Sequence, residues 1–377
     1  MTHLLNGFVR VVLALVMSTA LVRAHEIEPT VADVAVTGDA VTVELRTAVE
    51  PLIVGIDMSA VEDTDDSPLS DRHDALRALP PEALEAELRN AWPAIAARLS
   101  LLAGETPLEL ALTGIAIPQV GDVEARRDTV LTLTAPLPAD GSPVRVGVDG
   151  TMGQLIVRQQ ADGDAYEGFL SGGELSEPMP RDAVAAQSAG ALFVEYLWQG
   201  ILHIIPLGLD HILFVLGLFF YALAWRAILW QVTAFTLAHT VTLAMAVLGL
   251  VSVPGSVVEP LIALSITVVA VENVLRGGRA TVGWGRIAIV FAFGLLHGLG
   301  FASVFGDLDV GGNLILKLLA FNVGVEIGQL AVIAAAFLAV GLWFGARPWY
   351  RKAIAIPASV VIGLVGLWWF LERTVLA

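Results

Sequence analysis

The sequence has no cysteine among its 377 residues. That absence excludes disulfides, thiolate metal ligands and cysteine nucleophiles together. No GxxxxGK[ST] string occurs, so the chain offers no phosphate-cradling loop for ATP. No GxSxG string occurs either, which argues against a nucleophile-elbow serine hydrolase. Basic residues are few, 21 Lys and Arg against 37 Asp and Glu, and that balance disfavours nucleic acid as a partner. Charge of either sign is scarce, at 15% of residues against 56% hydrophobic, and the mean hydropathy is +0.75. Such a balance excludes an ordinary soluble chain and points to a polytopic membrane protein in a lipid bilayer.

The shortage of charge is uneven. From His25 to Gly190 there are 29 acidic and 10 basic residues, and from Ala191 onward 8 and 9. An acidic, soluble domain therefore precedes a nearly neutral membrane domain, the acids serving to keep the first part solvated. Residues 1–24 read as a signal peptide, with Arg10 before the apolar core Val11 to Val22, and Val22 and Ala24 at the −3 and −1 sites. Cleavage there leaves His25 as the mature N-terminus, whose amino group and imidazole form a secondary metal site suited to Cu(II) or Ni(II).

Residues 25–171 read as a periplasmic, mainly-β domain, sandwich-like with a helical insertion. Alternating residues at 31–60 around a Gly-Asp turn give a hairpin. Pro80 and Pro81 open a helical run to Ala103, and five short strand-like segments follow. His73 falls in a charged loop and is expected to be solvated. Residues 172–190 are a linker. The stretch 191–204 mixes Glu195, Tyr196 and Trp198 with apolar residues, as interfacial helices do.

Residues 191–377 form the membrane domain, an all-α bundle of six spans near 207–224, 229–250, 257–275, 286–305, 314–344 and 353–371. With the N-terminus exported, loops one, three and five are cytoplasmic. They hold Arg226, Arg276, Arg279, Arg286, Arg347, Arg351 and Lys352, whereas the outer segments hold only Lys317 and Arg373. The positive-inside rule agrees with this orientation and puts the C-terminus outside as well.

The stretch GILHIIPLGLDHILFVLGLFF (200–220) is nearly all apolar, yet carries His203, Asp210 and His211. An ionisable group at mid-membrane costs about 2.5–3.5 kcal/mol on insertion scales, so such groups mark function. Pro206 and Gly208 predict a break that presents Asp210 and His211 at the restart of a helix. His239, His297 and Glu326 lie near mid-membrane, about ten residues into their runs at a rise of about 1.5 Å each. Imidazoles and carboxylates on different helices at similar depths suit a divalent transition metal such as Ni, Co, Zn or Cu(II). Polar support comes from Thr236 and Thr240 beside His239, and from Asn322 and Gln329 on the Glu326 face. Glu272 stands nearer the inner end of its run.

The strings GLDHILFVLG, FTLAHTVTLA, ALSITVVAVEN, FGLLHGLGFAS and FNVGVEIGQL resemble the HupE/UreJ family of bacterial membrane proteins. The AHE at 24–26 resembles the start of long variants with an exported N-terminal domain. The resemblance implies a divalent-metal permease of the bacterial inner membrane, nickel favoured, with cobalt, copper and zinc as alternatives. It implies His203, Asp210, His211, His239, His297 and Glu326 as metal ligands. In the best-known nickel members a His-Pro pair precedes the Asp-His. Here Ile204 follows His203, and Pro206 comes three residues later. Two other readings fit the residue types. One is a membrane-embedded zinc-dependent hydrolase, with three His holding Zn²⁺ and Ser303 assisting. The other is a metal-sensing or assembly protein working through its exported domain. A homo-oligomer is compatible with all three.

On this reading, N-terminal sequencing of the mature protein should return His25. A periplasm-dependent reporter fused after Ala377 should be active, and activity only of a cytoplasmic reporter there would mean a miscounted span.

Overall fold

The computed structural model describes residues 29–61, 64, 67–121, 123, 126–161, 164–185, 188–276, 282–300 and 313–375. The signal peptide, His25, Arg279 and Ser303 lie outside these residues. The chain forms two compact units that divide between Gln187 and Ser188.

The N-terminal unit is a mixed-sheet region with helices. Strands β1 (Thr30–Thr37) and β2 (Ala40–Thr47) pair antiparallel, Thr37 opposite Ala40, around a turn in which Gly38 takes φ 62°. That left-handed backbone favours glycine. The remaining strands are β3 (Leu99–Ala103), β4 (Thr106–Pro107), β5 (Ala111–Ala116), β6 (Thr129–Pro136), β7 (Val144–Val148), β8 (Leu155–Ala161) and β9 (Asp164–Leu170). A six-stranded sheet runs β5-β6-β2-β1-β8-β9 and a three-stranded one runs β4-β3-β7. β1 and β8 are parallel. A parallel pair needs a long crossover, and here the crossover contains the other sheet and helices α1 (Glu50–Val54), α2 (Ser70–Arg77) and α3 (Pro81–Ala96).

The period-2 pattern of β2 and β6 sends Val41, Val43, Leu45, Leu131 and Leu133 into a core shared with Leu84, Leu88 and Ile95 of α3 and with Leu101 and Val146 of the smaller sheet. Each such side chain contributes about 1.5–3 kcal/mol by leaving water. Pro81 at the first turn suits the start of α3. The helical run to Ala103 was expected to be continuous, but it ends at Ala96. Leu99–Ala103 pairs with β7 instead, where the alternating Leu99, Leu101 and Ala103 face one side of a strand.

A buried ion pair pins this unit. Arg127 meets Glu50 at 3.0 Å and donates to the carbonyls of Leu79 and Leu76 at 2.8 and 3.2 Å. Its satisfied hydrogen bonds offset the cost of burying both charges.

The C-terminal unit is helical: α4 (Ala189–Ile204), α5 (Leu209–Tyr221), α6 (Trp225–Val247), α7 (Gly255–Arg276), α8 (Trp284–Gly300) and α9 (Leu314–Ala336). A π turn at Phe337–Gly341 carries α9 into α10 (Leu342–Phe344), and a second at Arg351–Ala355 leads into α11 (Ile356–Glu372). Among the described residues, four continuous helical stretches are long and apolar enough to cross a membrane: Trp225–Val247, Gly255–Arg276, Leu314–Phe344 and Arg351–Glu372. The pair α4 and α5, bent by 74°, qualifies as a broken fifth, and α8 is a shorter apolar helix. α4 is no surface helix. Tyr196 and Ile204 are fully buried, and Gly200 packs against the backbone of α9. The wide apolar face of α4 (Leu192, Tyr196, Gly200, Ile204) drives it into the bundle despite its interfacial composition.

His73 also departs from expectation. It lies within α2, is 3% exposed, and its Nδ1 sits 3.2 Å from Asp74. Burial pushes the imidazole below its ordinary range, Arg77 lowers it further, and Asp74 opposes both. The folded state thus binds fewer protons than the unfolded one near pH 6. The stabilisation is complete above the unfolded value of about 6.5 and is lost as pH falls toward the depressed folded value. The protection factors of the α2 amides in the full chain, corrected for intrinsic exchange, should fall below about pH 6.5, and His73→Leu should flatten that dependence. An unchanged profile in the variant would count against the assignment.

Candidate metal centre

The break at 205–208 builds the centre. The chain turns through a cis Ile205–Pro206 bond and re-enters helix at Leu209. A Cβ on Gly208 would lie 2.3 Å from the carbonyl oxygen of His203. Only glycine lets the restart fold so closely over the end of α4, and that closeness brings His203 beside Asp210 and His211. The rings of His203 and His211 are 4.7 Å apart.

α6 and α8 supply the other two rings. A Cβ on Gly294 would meet the Phe235 carbonyl at 2.4 Å, and one on Gly298 would meet that of His239 at 2.5 Å. The helices touch through their backbones at these glycines. His239 lies 5.8 Å and His297 4.8 Å from His211, ring centre to ring centre. All four imidazoles are buried. Among the described residues, two overlapping groups have metal-binding spacing, His203–His211–His239 and Asp210–His211–His297, the ligand atoms of each lying within 4.8 Å of one another.

Hydrogen bonds assign the ring protons. Asn322 donates its amide to the Leu318 carbonyl at 2.8 Å, so its Oδ1 accepts from His239 Nδ1 at 3.2 Å. The lone pair of His239 is therefore on Nε2, which is buried and makes no hydrogen bond. Asp210 Oδ1 accepts from the His211 backbone N–H at 2.7 Å and from its Nδ1 at 3.0 Å. His211 Nε2 is left in the same condition. Ser265 gives its one proton to the Ile262 carbonyl at 2.6 Å and so accepts from His297 Nε2 at 3.1 Å. His297 Nδ1 then holds a lone pair 3.6 Å from Asp210 Oδ2, with no proton between them. Unprotonated nitrogens gathered beside a carboxylate in a buried site could hold a cation.

Glu326 does not join these groups. It is half-buried and accepts from Thr233 at 2.7 Å, six residues and about 9 Å of helical rise before His239. Shared depth places Glu326 at the right level but says nothing of direction. Thr236 bonds Gln329 at 3.2 Å, and Thr240 bonds back to the Thr236 carbonyl at 2.7 Å. The polar face of α9 thus meets α6 at three points. Glu272 pairs with Arg286, which also donates to Gln231 at 2.9 Å and lies over the Tyr221 ring at 4.0 Å. Arg286, taken from the sequence as a loop charge, is in the first turn of α8 and 5% exposed. Lys317, assigned to an outer segment, is likewise in α9, 6% exposed and over the Tyr196 ring at 5.3 Å. Sequence reasoning missed Ser265, Gln231 and Tyr221. The only available signal was the pairing of Glu272 with a nearby Arg.

A family model described as HupE / UreJ protein matches residues 180–373, a little over half of the chain. Comparison with curated proteins found no match. The matched family is associated with nickel and cobalt transport or accessory function. The match spans α4 to α11 and every imidazole of the centre, and the chain belongs to the HupE/UreJ family of membrane proteins.

Proposed function

We propose that this protein is a divalent transition-metal permease of the bacterial inner membrane, with nickel its favoured substrate. His203, Asp210, His211, His239 and His297 hold the ion in transit, and Glu326 lies along its route. The observation that carries this reading is the set of buried, proton-free nitrogens on His211, His239 and His297, with the Asp210 carboxylate against His211 and His297. Imidazole with a single carboxylate suits Ni, Co, Cu(II) or Zn better than Mg or Ca. No phosphate-binding loop is present, so the chain moves its cargo without hydrolysing ATP itself. The membrane domain has six spans, the bent pair α4 and α5 serving as the first, with the acidic domain 25–171 and the C-terminus in the periplasm. The basic loops and the signal peptide support that orientation.

A serine-nucleophile hydrolase, distinct from the zinc-dependent one, has less support. Asp210, His297 and Ser265 line up like a nucleophile triad, but the Ser265 proton is committed to the Ile262 carbonyl. A nucleophile would have to give its proton to the histidine.

Membrane vesicles loaded with the wild-type protein should take up labelled Ni²⁺. His211→Ala and His297→Ala should reduce uptake by at least about 100-fold, each losing a ligand, with little change in the amount of folded protein. Full uptake in both variants would sink the permease reading.

Glu326→Gln tests the route separately. Its amide still accepts from Thr233, so folding should hold, while uptake slows and Ni²⁺ binding at the histidines stays within about twofold, the site's ligands being intact. Loss of binding in this variant would make Glu326 a direct ligand instead.

A further inference from the structure

We infer that the centre is two ion positions sharing His211, occupied one at a time, so that an ion is handed from one to the other. This rests on the permease reading and goes beyond it. The first position lies among His203, His211 and His239, and the second among Asp210, His211 and His297. The two differ in chemistry, three imidazoles against two imidazoles and a carboxylate. They also differ in helix origin. α6 contributes only to the first and α8 only to the second, while the restart at the head of α5 contributes to both.

The hydrogen bonds define how His211 serves each position. With its Nδ1–H on Asp210, its Nε2 faces a cation at the first position, and Asp210 acts as the outer carboxylate that orients the ring. At the second position the carboxylate of Asp210 and Nδ1 of His297 already face each other across 3.6 Å. His211 completes this set through Nδ1, its proton then residing on Nε2. For this change a water takes the Nδ1 proton and a water gives one to Nε2, so the ring is neutral with the ion at either position and the net proton count is unchanged. One ring cannot hold both arrangements at once. Two divalent ions sharing it would also repel four times as strongly as unit charges, in surroundings that screen little. A permeating ion must be held firmly enough to enter and loosely enough to leave, and adjacent exchanging positions meet that need.

Cu(II) serves as the probe, since imidazole and carboxylate both suit it. Purified full-length protein in nanodiscs is loaded with Cu(II). Bound copper per chain is measured, and coordinated nitrogens are counted by electron paramagnetic resonance. The wild type should hold one ion per chain in two spectral components, one with three imidazole nitrogens and one with two. His297→Ala should retain one ion in the three-nitrogen component alone, and His239→Ala one ion in the two-nitrogen component alone. His211→Ala should bind at least about 100-fold more weakly. A single wild-type component abolished by both His239→Ala and His297→Ala would overturn the relay and leave the permease intact. Two ions held together would also overturn it. A wild type that binds none would remove the permease reading as well. If the alanine variants do not fold, the wild-type spectrum decides, a single component being fatal.

Discussion

Four imidazoles can meet in this protein because the helices carrying them touch backbone to backbone. Between apolar helices in lipid there is little hydrophobic drive, and association depends on close van der Waals contact and a few hydrogen bonds. Gly294 and Gly298 let α8 rest on α6, and Gly200 and Gly324 do the same for α4 and α9. A Cβ at Gly200 would lie 2.0 Å from the Phe321 carbonyl, and one at Gly324 2.1 Å from that of Leu197. A methyl at any of these seams would push the helices apart by a sizeable fraction of a ring diameter. The centre is therefore as sensitive to its glycines as to its histidines.

The helical unit contains two kinds of polar cluster, and their hydrogen bonding separates them. Around Arg286, donors meet acceptors: the guanidinium has Glu272, Gln231 and the Tyr221 ring, and Asn273 donates to Gly217 and Ser359. This arrangement ties α5, α6, α7, α8 and α11 together. Around His211, acceptors meet acceptors. Within the first cluster Arg286 Nη2 and Asn273 Oδ1 stay without a partner, but Arg286, Glu272, Gln231 and Asn273 each make at least one hydrogen bond across helices, whereas the second gathers unprotonated nitrogens of three imidazoles beside a carboxylate.

Much of the centre was legible in the sequence. An ionisable group in an apolar run is costly, so His239, His297, Asp210 and His211 identified themselves, and helical rise gave their depth. Direction was less legible. Glu326 shares their level but turns to Thr233, because depth along a helix does not fix azimuth. Arg286 and Lys317 read as loop charges because positive residues crowd span ends, yet each is buried in a first turn. Ser265 left no trace, since a serine that bonds its own helix backbone is common in apolar helices. In the other unit the β1–β2 hairpin was plain from alternation and a glycine turn. The parallel β1–β8 pairing was hidden, because its partners are more than a hundred residues apart and no local pattern records them.

The broken helix has an electrostatic consequence. The restart at Leu209 puts the N-terminal end of α5 at Asp210 and His211, its Leu209 and His211 amides held by the Leu207 carbonyl and the Asp210 carboxylate. That end carries about half a positive charge and so opposes any cation placed beside it. The Asp210 carboxylate, accepting the His211 backbone N–H, offsets this field. The macrodipole and the aspartate thus act as opposing weights on affinity. On the permease reading, strong ligands set against a repelling helix end hold the site short of becoming a trap.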